Sequence, residues 1–161
     1  MATNDLQFTL GTPVTAVSLA ATLANAAYTY TGLASCTMND LDNSTTKYPH
    51  LRCVLDIPDT FAAAPSAGGY FNVYMRVLNS DSTSDDIPAP DSTALKAAKW
   101  IGLIPIQAYD VAQRVTVYFF DAILGVTGAQ FFIENKCGQT ASYSTNPITL
   151  KVTPFTHNPT A

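Results

Sequence analysis

YFNVYMRVL, residues 70–78, alternates without a break: Phe71, Val73, Met75 and Val77 fall on one side of an extended chain, and Tyr70, Asn72, Tyr74 and Arg76 on the other. Successive side chains of a strand point to opposite faces, so this period of two marks a strand with one face in a core and the other toward water. The same period recurs on both sides of it. Upstream, His50–Ile57 turns Leu51, Cys53, Leu55 and Ile57 inward, and Leu6, Phe8 and Leu10 form a shorter example. Downstream, Arg114–Phe120 offers Val115, Val117 and Phe119, Ala129–Asn135 offers Phe131 and Ile133, and Ile148–Thr153 offers Ile148, Leu150 and Val152. Weaker strands are expected near Tyr28–Cys36 and Lys99–Ile106. Pro105, which has no N–H for a ladder, belongs at an edge, a bulge or a strand end.

Turn residues separate these runs: Ala67-Gly68-Gly69, Gly125-Val126-Thr127-Gly128 and Lys136-Cys137-Gly138. About eight strands punctuated in this way predict an all-β chain, an antiparallel β-sandwich of jelly-roll type. Its 161 residues fit a single domain that buries about 70% of its unfolded surface, enough for a core without staples. Helix signals are confined to one or two short turns, around Ser18–Ala26 and Ser92–Lys99, and the chain has a single glutamate, Glu134. Asn79–Asp91 (NSDSTSDDIPAPD) reads as an exposed acidic loop. Met1–Leu10 and Phe155–Ala161 read as an N-terminal arm and a tail without core contacts, segments that order on binding.

Composition narrows the function classes. Only 12% of residues are charged, against roughly 25% in an ordinary soluble domain. With 47% hydrophobic residues, water-facing positions must be filled by Thr, Ser, Asn and Ala, and little like-charge repulsion opposes contact with a neighbour. Such a chain suits a subunit packed permanently against other proteins. A net charge of −4 and scattered Lys and Arg argue against nucleic acid, which demands clustered cations. No segment approaches the roughly 18 apolar residues of a membrane helix. Met1–Gln7 lacks a secretory start, so synthesis in a cytoplasm is expected. Cys36, Cys53 and Cys137 are too few and too far apart for a disulfide framework or a metal knuckle and are expected as buried thiols. The sequon Asn43-Ser44-Thr45 then carries no glycan.

Catalytic constellations are hard to assemble from this residue set. Of two histidines, His50 opens a strand and His157 lies in the tail, so a Ser or Cys nucleophile has no evident base. Asp56, Asp59, Asp110, Asp121 and Glu134 are the carboxylates from which a glycosidase pair would be drawn, and they read as solvated strand ends. Asp81, Asp85, Asp86 and Asp91 offer oxygen ligands of the kind Ca²⁺ takes, without the EF-hand order of acids and glycine. No catalytic residue, cofactor or metal ligand is assigned. The informative candidates are outward aromatics: Tyr70, Tyr74 and Tyr118 would present flat amphipathic rings suited to a protein interface or to sugar stacking. With Leu6 and Phe8 of the arm and Phe155 of the tail they make up the candidate interface.

WIGLIPIQAYDVAQRVTVYFF from Trp100, AQFFIENKCGQTAS and NPITLKVTPF, together with the earlier GYFNVYMRVLNSDST, resemble the small proteins that decorate or cement the heads of tailed bacteriophages. The places that carry the likeness are Ile104-Pro105-Ile106, Ala112-Gln113-Arg114 and Asn135-Lys136-Cys137-Gly138-Gln139. They cover roughly the C-terminal third and one earlier strand. The resemblance implies a non-catalytic β-sandwich on the outside of a virion capsid. It would bind the major capsid protein in many copies, as a homo-oligomer such as a trimer. A tail or neck subunit and a carbohydrate-binding lectin-like sandwich are the alternatives, and weak glycan contact is compatible with decoration.

Overall fold

The structure is a computed structural model that describes residues 6–78, 88–96 and 98–159, with Leu6, Gln7, Asn158 and Pro159 described through their backbone. The strands in chain order are β1 (Leu6–Leu10), β2 (Val14–Leu19), β3 (Cys36–Met38), β4 (Leu41–Asp42), β5 (His50–Ile57), β6 (Tyr70–Leu78), β7 (Lys99–Pro105), β8 (Gln113–Phe119), β9 (Gly128–Lys136) and β10 (Ile148–Pro159). They form two antiparallel sheets. One is six-stranded, in the order β3-β2-β10-β5-β8 with β1 also on β10, and the other is four-stranded, in the order β4-β9-β6-β7.

Four pairings nest inside one another: β2 with β10, β4 with β9, β5 with β8 and β6 with β7. First strand with last, second with second-last, is the pattern of one long hairpin rolled into two layers, the jelly roll. The alternation read from the sequence sets which faces meet. Leu51, Cys53, Leu55, Phe71, Val73, Met75, Ile104, Phe131, Ile133, Leu150 and Val152 all lie in the shared core. Each large apolar side chain so buried contributes about 1.5–3 kcal/mol. β7 leans across to β8 where the Phe119 ring lies on Gly102, and a Cβ at that glycine would overlap the ring.

Several expectations are corrected. No helix occurs among the described residues. Val14–Leu19, overlapping one expected helical turn, is a strand because its β-branched valines pair with β10 from Val14↔Val152 to Leu19↔Ile148. Around Ser92, the Asp91 carboxylate accepts from the Thr93 and Ala94 N–H groups at 2.9 and 3.2 Å, a side-chain turn that competes with helix. The weak strand expected at Tyr28–Cys36 is turn, with a single bridge from Tyr28 to Glu134 and a short strand starting only at Cys36. The acidic loop lies outside the described residues from 79 to 87.

The largest correction concerns the ends. β10 runs on through Phe155 to Pro159, and Leu6–Leu10 pairs with it from Leu6↔Pro159 to Leu10↔Phe155. As far as they are described, the expected arm and tail are therefore a strand pair built into the six-stranded sheet. Gly11, at the kink between β1 and β2, donates its N–H to Pro154 O at 2.7 Å. It lies so close to the Tyr48 and Pro154 rings that a Cβ would come within 2.8 Å of both.

Buried polar groups hold the connections. Asn135, fully buried, donates through Nδ2 to Leu23 O and Gln139 O at 2.8 Å each and accepts from the Cys137 N–H at 2.9 Å. Asn43 of the sequon is also buried, and its Nδ2 donates to Tyr48 O and Val126 O at 2.9 Å each, so the amide that a glycan would need is already committed. The three cysteines are unpaired; Cys53 and Cys137 are buried, and Cys36, half-buried, has its thiol pushed up to about 11 by desolvation.

Candidate interaction surface

Strand register gathers an aromatic cluster on the outer face of the six-stranded sheet. β10 is flanked there by β1 and β5, with Leu10↔Phe155 and Phe8↔His157 on one side and His50↔Phe155 on the other; β8 adds Tyr118 beside Arg52. Cross-strand neighbours on one face touch, so rings on four strands become one patch. Phe155 is its hub: the rings of His50, Phe8, Tyr118 and Phe120 lie 5.1, 5.7, 5.8 and 5.9 Å from it, the last two edge-on. His157 stacks on His50 at 4.7 Å. His50 Nδ1 accepts the Asp121 N–H at 2.9 Å, which anchors the turn after β8 beneath Phe120.

Phe155 is fully buried, while the groups around it are open to water: Phe8 is 55% exposed, Leu10 53%, Tyr118 51% and Phe120 60%. A dent of about 190 Å³ lies between Phe8, Leu10, Arg52 and Tyr118. Large apolar groups scattered singly over a surface are ordinary, but a contiguous set packed on a common floor marks an interaction surface.

The expected interface residues divide between the two layers. Phe8 and Tyr118 are rim groups of this patch, and Leu6 continues β1 opposite Pro159. Phe155, expected at the surface, is instead the patch's buried floor, because four rings cover it. Phe120, Leu10, His50 and His157 also belong to the patch and are not among the expected interface residues. Tyr70 and Tyr74 project from the opposite layer, the outer face of the four-stranded sheet, and both are half-buried. Tyr74 is no free ring edge: its hydroxyl donates to Glu134 Oε2 at 3.0 Å, and burial together with that carboxylate pushes it up to about 12.

Glu134 centres a network on that second face. Asn72 Nδ2 donates to its Oε2 at 2.9 Å, Lys136 Nζ lies 2.9 Å from its Oε1, and Trp100 Nε1 donates to Asn72 Oδ1 at 2.9 Å. Burial pushes the Glu134 carboxyl up, but hydrogen bonds from Asn72, Lys136 and Tyr74 outweigh it and hold the group below its ordinary range. A carboxyl lowered in the fold stabilises above its unfolded value, and that contribution is lost as pH falls through the folded one. Glu134→Gln should therefore melt below the wild type at neutral pH, with the gap closing on acidification below about pH 4. Melting curves across pH check this, and a constant gap would assign the loss to shape rather than charge.

The other described acids are spread out, and most of them have partners. Asp59 accepts from the Ser144 N–H and hydroxyl, which hold it below the usual carboxylate range. Asp56 faces Arg114 across β5 and β8, and Asp121 lies 3.5 Å from His50. Asp91 is bound by Lys96 at 2.6 Å and kept well below the usual range, chiefly by that lysine. An open cleft of about 720 Å³ between the Gly11 kink and the β4–β5 connection includes Asp40 and Asp42. Asp40 accepts from Gln130 Nε2 and Asp42 from the Ser44 N–H. Among the described residues no three His, Cys, Asp or Glu side chains gather as a metal site. No protein-family model matches the chain, and no curated protein matches it at a significant level.

Proposed function

We propose that this chain is a non-enzymatic virion structural protein of the head-decoration type, which seats the outer face of its six-stranded sheet on a phage capsid. The observation that carries the reading is the exposed ring of Phe8, Leu10, Tyr118 and Phe120 around the buried Phe155. The paired strands β1 and β10 are spent on building that patch, and a free monomer gains nothing from displaying it. The low charge and the sequence resemblance support the same reading. Its partners are the major capsid protein and neighbouring copies of itself, arranged as a homo-oligomer such as a trimer. Repetition matters energetically: a modest patch binds weakly once, and many copies linked through a lattice hold together. Synthesis in the host cytoplasm followed by attachment to the finished head fits a domain that folds on its own core.

Quantitative mass spectrometry of purified particles tests this reading. Lattice decoration requires the chain at a copy number of the same order as the capsomers. Absence from particles, or a handful of copies, rejects it, and a signal confined to isolated tails moves the chain to the tail or neck.

A further inference from the structure

We propose that the outer face of the four-stranded sheet is a binding platform for neutral glycans, with Trp100 as its stacking surface and Asn72, Tyr74, Glu134 and Lys136 as its polar rim. The sheet lies on the opposite layer from the aromatic patch, so the inference stands apart from capsid attachment. Trp100 on β7 faces Tyr74 on β6 by register, and its indole N–H reaches Asn72, two residues further along β6. The indole edge is therefore anchored on the neighbouring strand. It is nonetheless 54% exposed.

A large aromatic anchored by a hydrogen bond at its edge is ordered before any ligand arrives, so little rotamer entropy is lost on binding. The electron-rich face of an indole attracts the weakly positive C–H side of a pyranose ring, while sugar hydroxyls need donors and acceptors around that face. Asn72, Tyr74 and Glu134 supply them in one connected network, with the Lys136 ammonium at its end. Glu134 and Lys136 neutralise each other, which favours an uncharged ligand over a phosphate or a sulfated polymer. Leu103, 43% exposed and paired with Asn72, extends the apolar floor by a second ring's width.

Trp100 is the chain's single tryptophan, so its emission reports this face alone. The experiment titrates the full chain with maltohexaose, cellohexaose, chitohexaose and mannohexaose and follows tryptophan fluorescence, with calorimetry in parallel. A saturable emission change is expected with at least one of them. Trp100→Phe, which keeps a ring and loses the N–H, and Asn72→Ala each weaken binding about tenfold, the scale of one hydrogen bond. Trp100→Ala abolishes the calorimetric signal while the variant still unfolds cooperatively, whereas Phe8→Asp leaves the signal unchanged. No response to any of the four sugars overturns the proposal. So does a response only to a sulfated heparin hexasaccharide, or calorimetric binding that survives in Trp100→Ala.

Discussion

Replacing Phe155 by alanine should cost about 3 kcal/mol of unfolding free energy and lower the melting temperature by about 6–12 °C in a chain of this size. Phe155 sits outside the core between the sheets, so sequence logic alone would count it as a tail residue of small consequence. In the fold it is fully buried beneath Phe8, Tyr118, Phe120 and His50. Removing the ring takes the floor from under all four and leaves a hole where their edges met. Each edge-on ring pair contributes about 0.5–1.5 kcal/mol beyond its buried area, which is why the loss exceeds that of one exposed aromatic. Phe155→Leu keeps most of the volume and should cost less than half as much. Denaturant unfolding of both variants measures the difference, and a loss under 1 kcal/mol for alanine would show that the patch does not rest on Phe155.

The second large effect falls on attachment, with a smaller one on stability. Phe8→Asp and Phe120→Asp introduce charge at the two most exposed phenylalanines of the rim. Neither ring is in the core between the sheets, so each should cost about the 0.5–1.5 kcal/mol of the ring pair with Phe155 that it removes, well below Phe155→Ala. A carboxylate placed in an interface that excludes water must be desolvated without a partner, and each substitution should weaken binding to undecorated heads at least tenfold, with the pair nearly abolishing it. Sedimentation of the double variant with undecorated heads measures this. Wild-type occupancy would mean that another face meets the shell. Trp100→Ala on the opposite layer is the matched control and should decorate normally.

The strands that set the fold are legible in the sequence because their alternation is strict. β5 and β6 begin and end where the period of two does, since core-facing apolar side chains alternate with outward ones, although His50 and Val54 on the outer face of β5 are buried as well. Legibility fails where a strand is not half-buried. β9 is buried along nearly its whole length, so Phe131 and Phe132 give no contrast between faces, and it extends beyond the alternating run at both ends. The end of β2 runs into the Ala-rich stretch from Ser18 that reads as a helical turn, and pairing with β10 decides the matter. The aromatic patch was half visible for a related reason. Tyr118 and Phe8 announce themselves by phase, but the grouping of Phe8, His50, Phe120 and Phe155 depends on pairing between residues more than a hundred positions apart along the chain, which no local pattern encodes. The network of Trp100, Asn72 and Glu134 is hidden in the same way, assembled from β7, β6 and β9.

An electron cryomicroscopy map of intact particles tests the central claim most directly. The account predicts density for this sandwich in many symmetry-related copies on the head, with Phe8, Leu10, Tyr118 and Phe120 turned onto the major capsid protein and Trp100 turned to solvent. A head surface without the chain, or copies bound with that aromatic rim facing water, would contradict it.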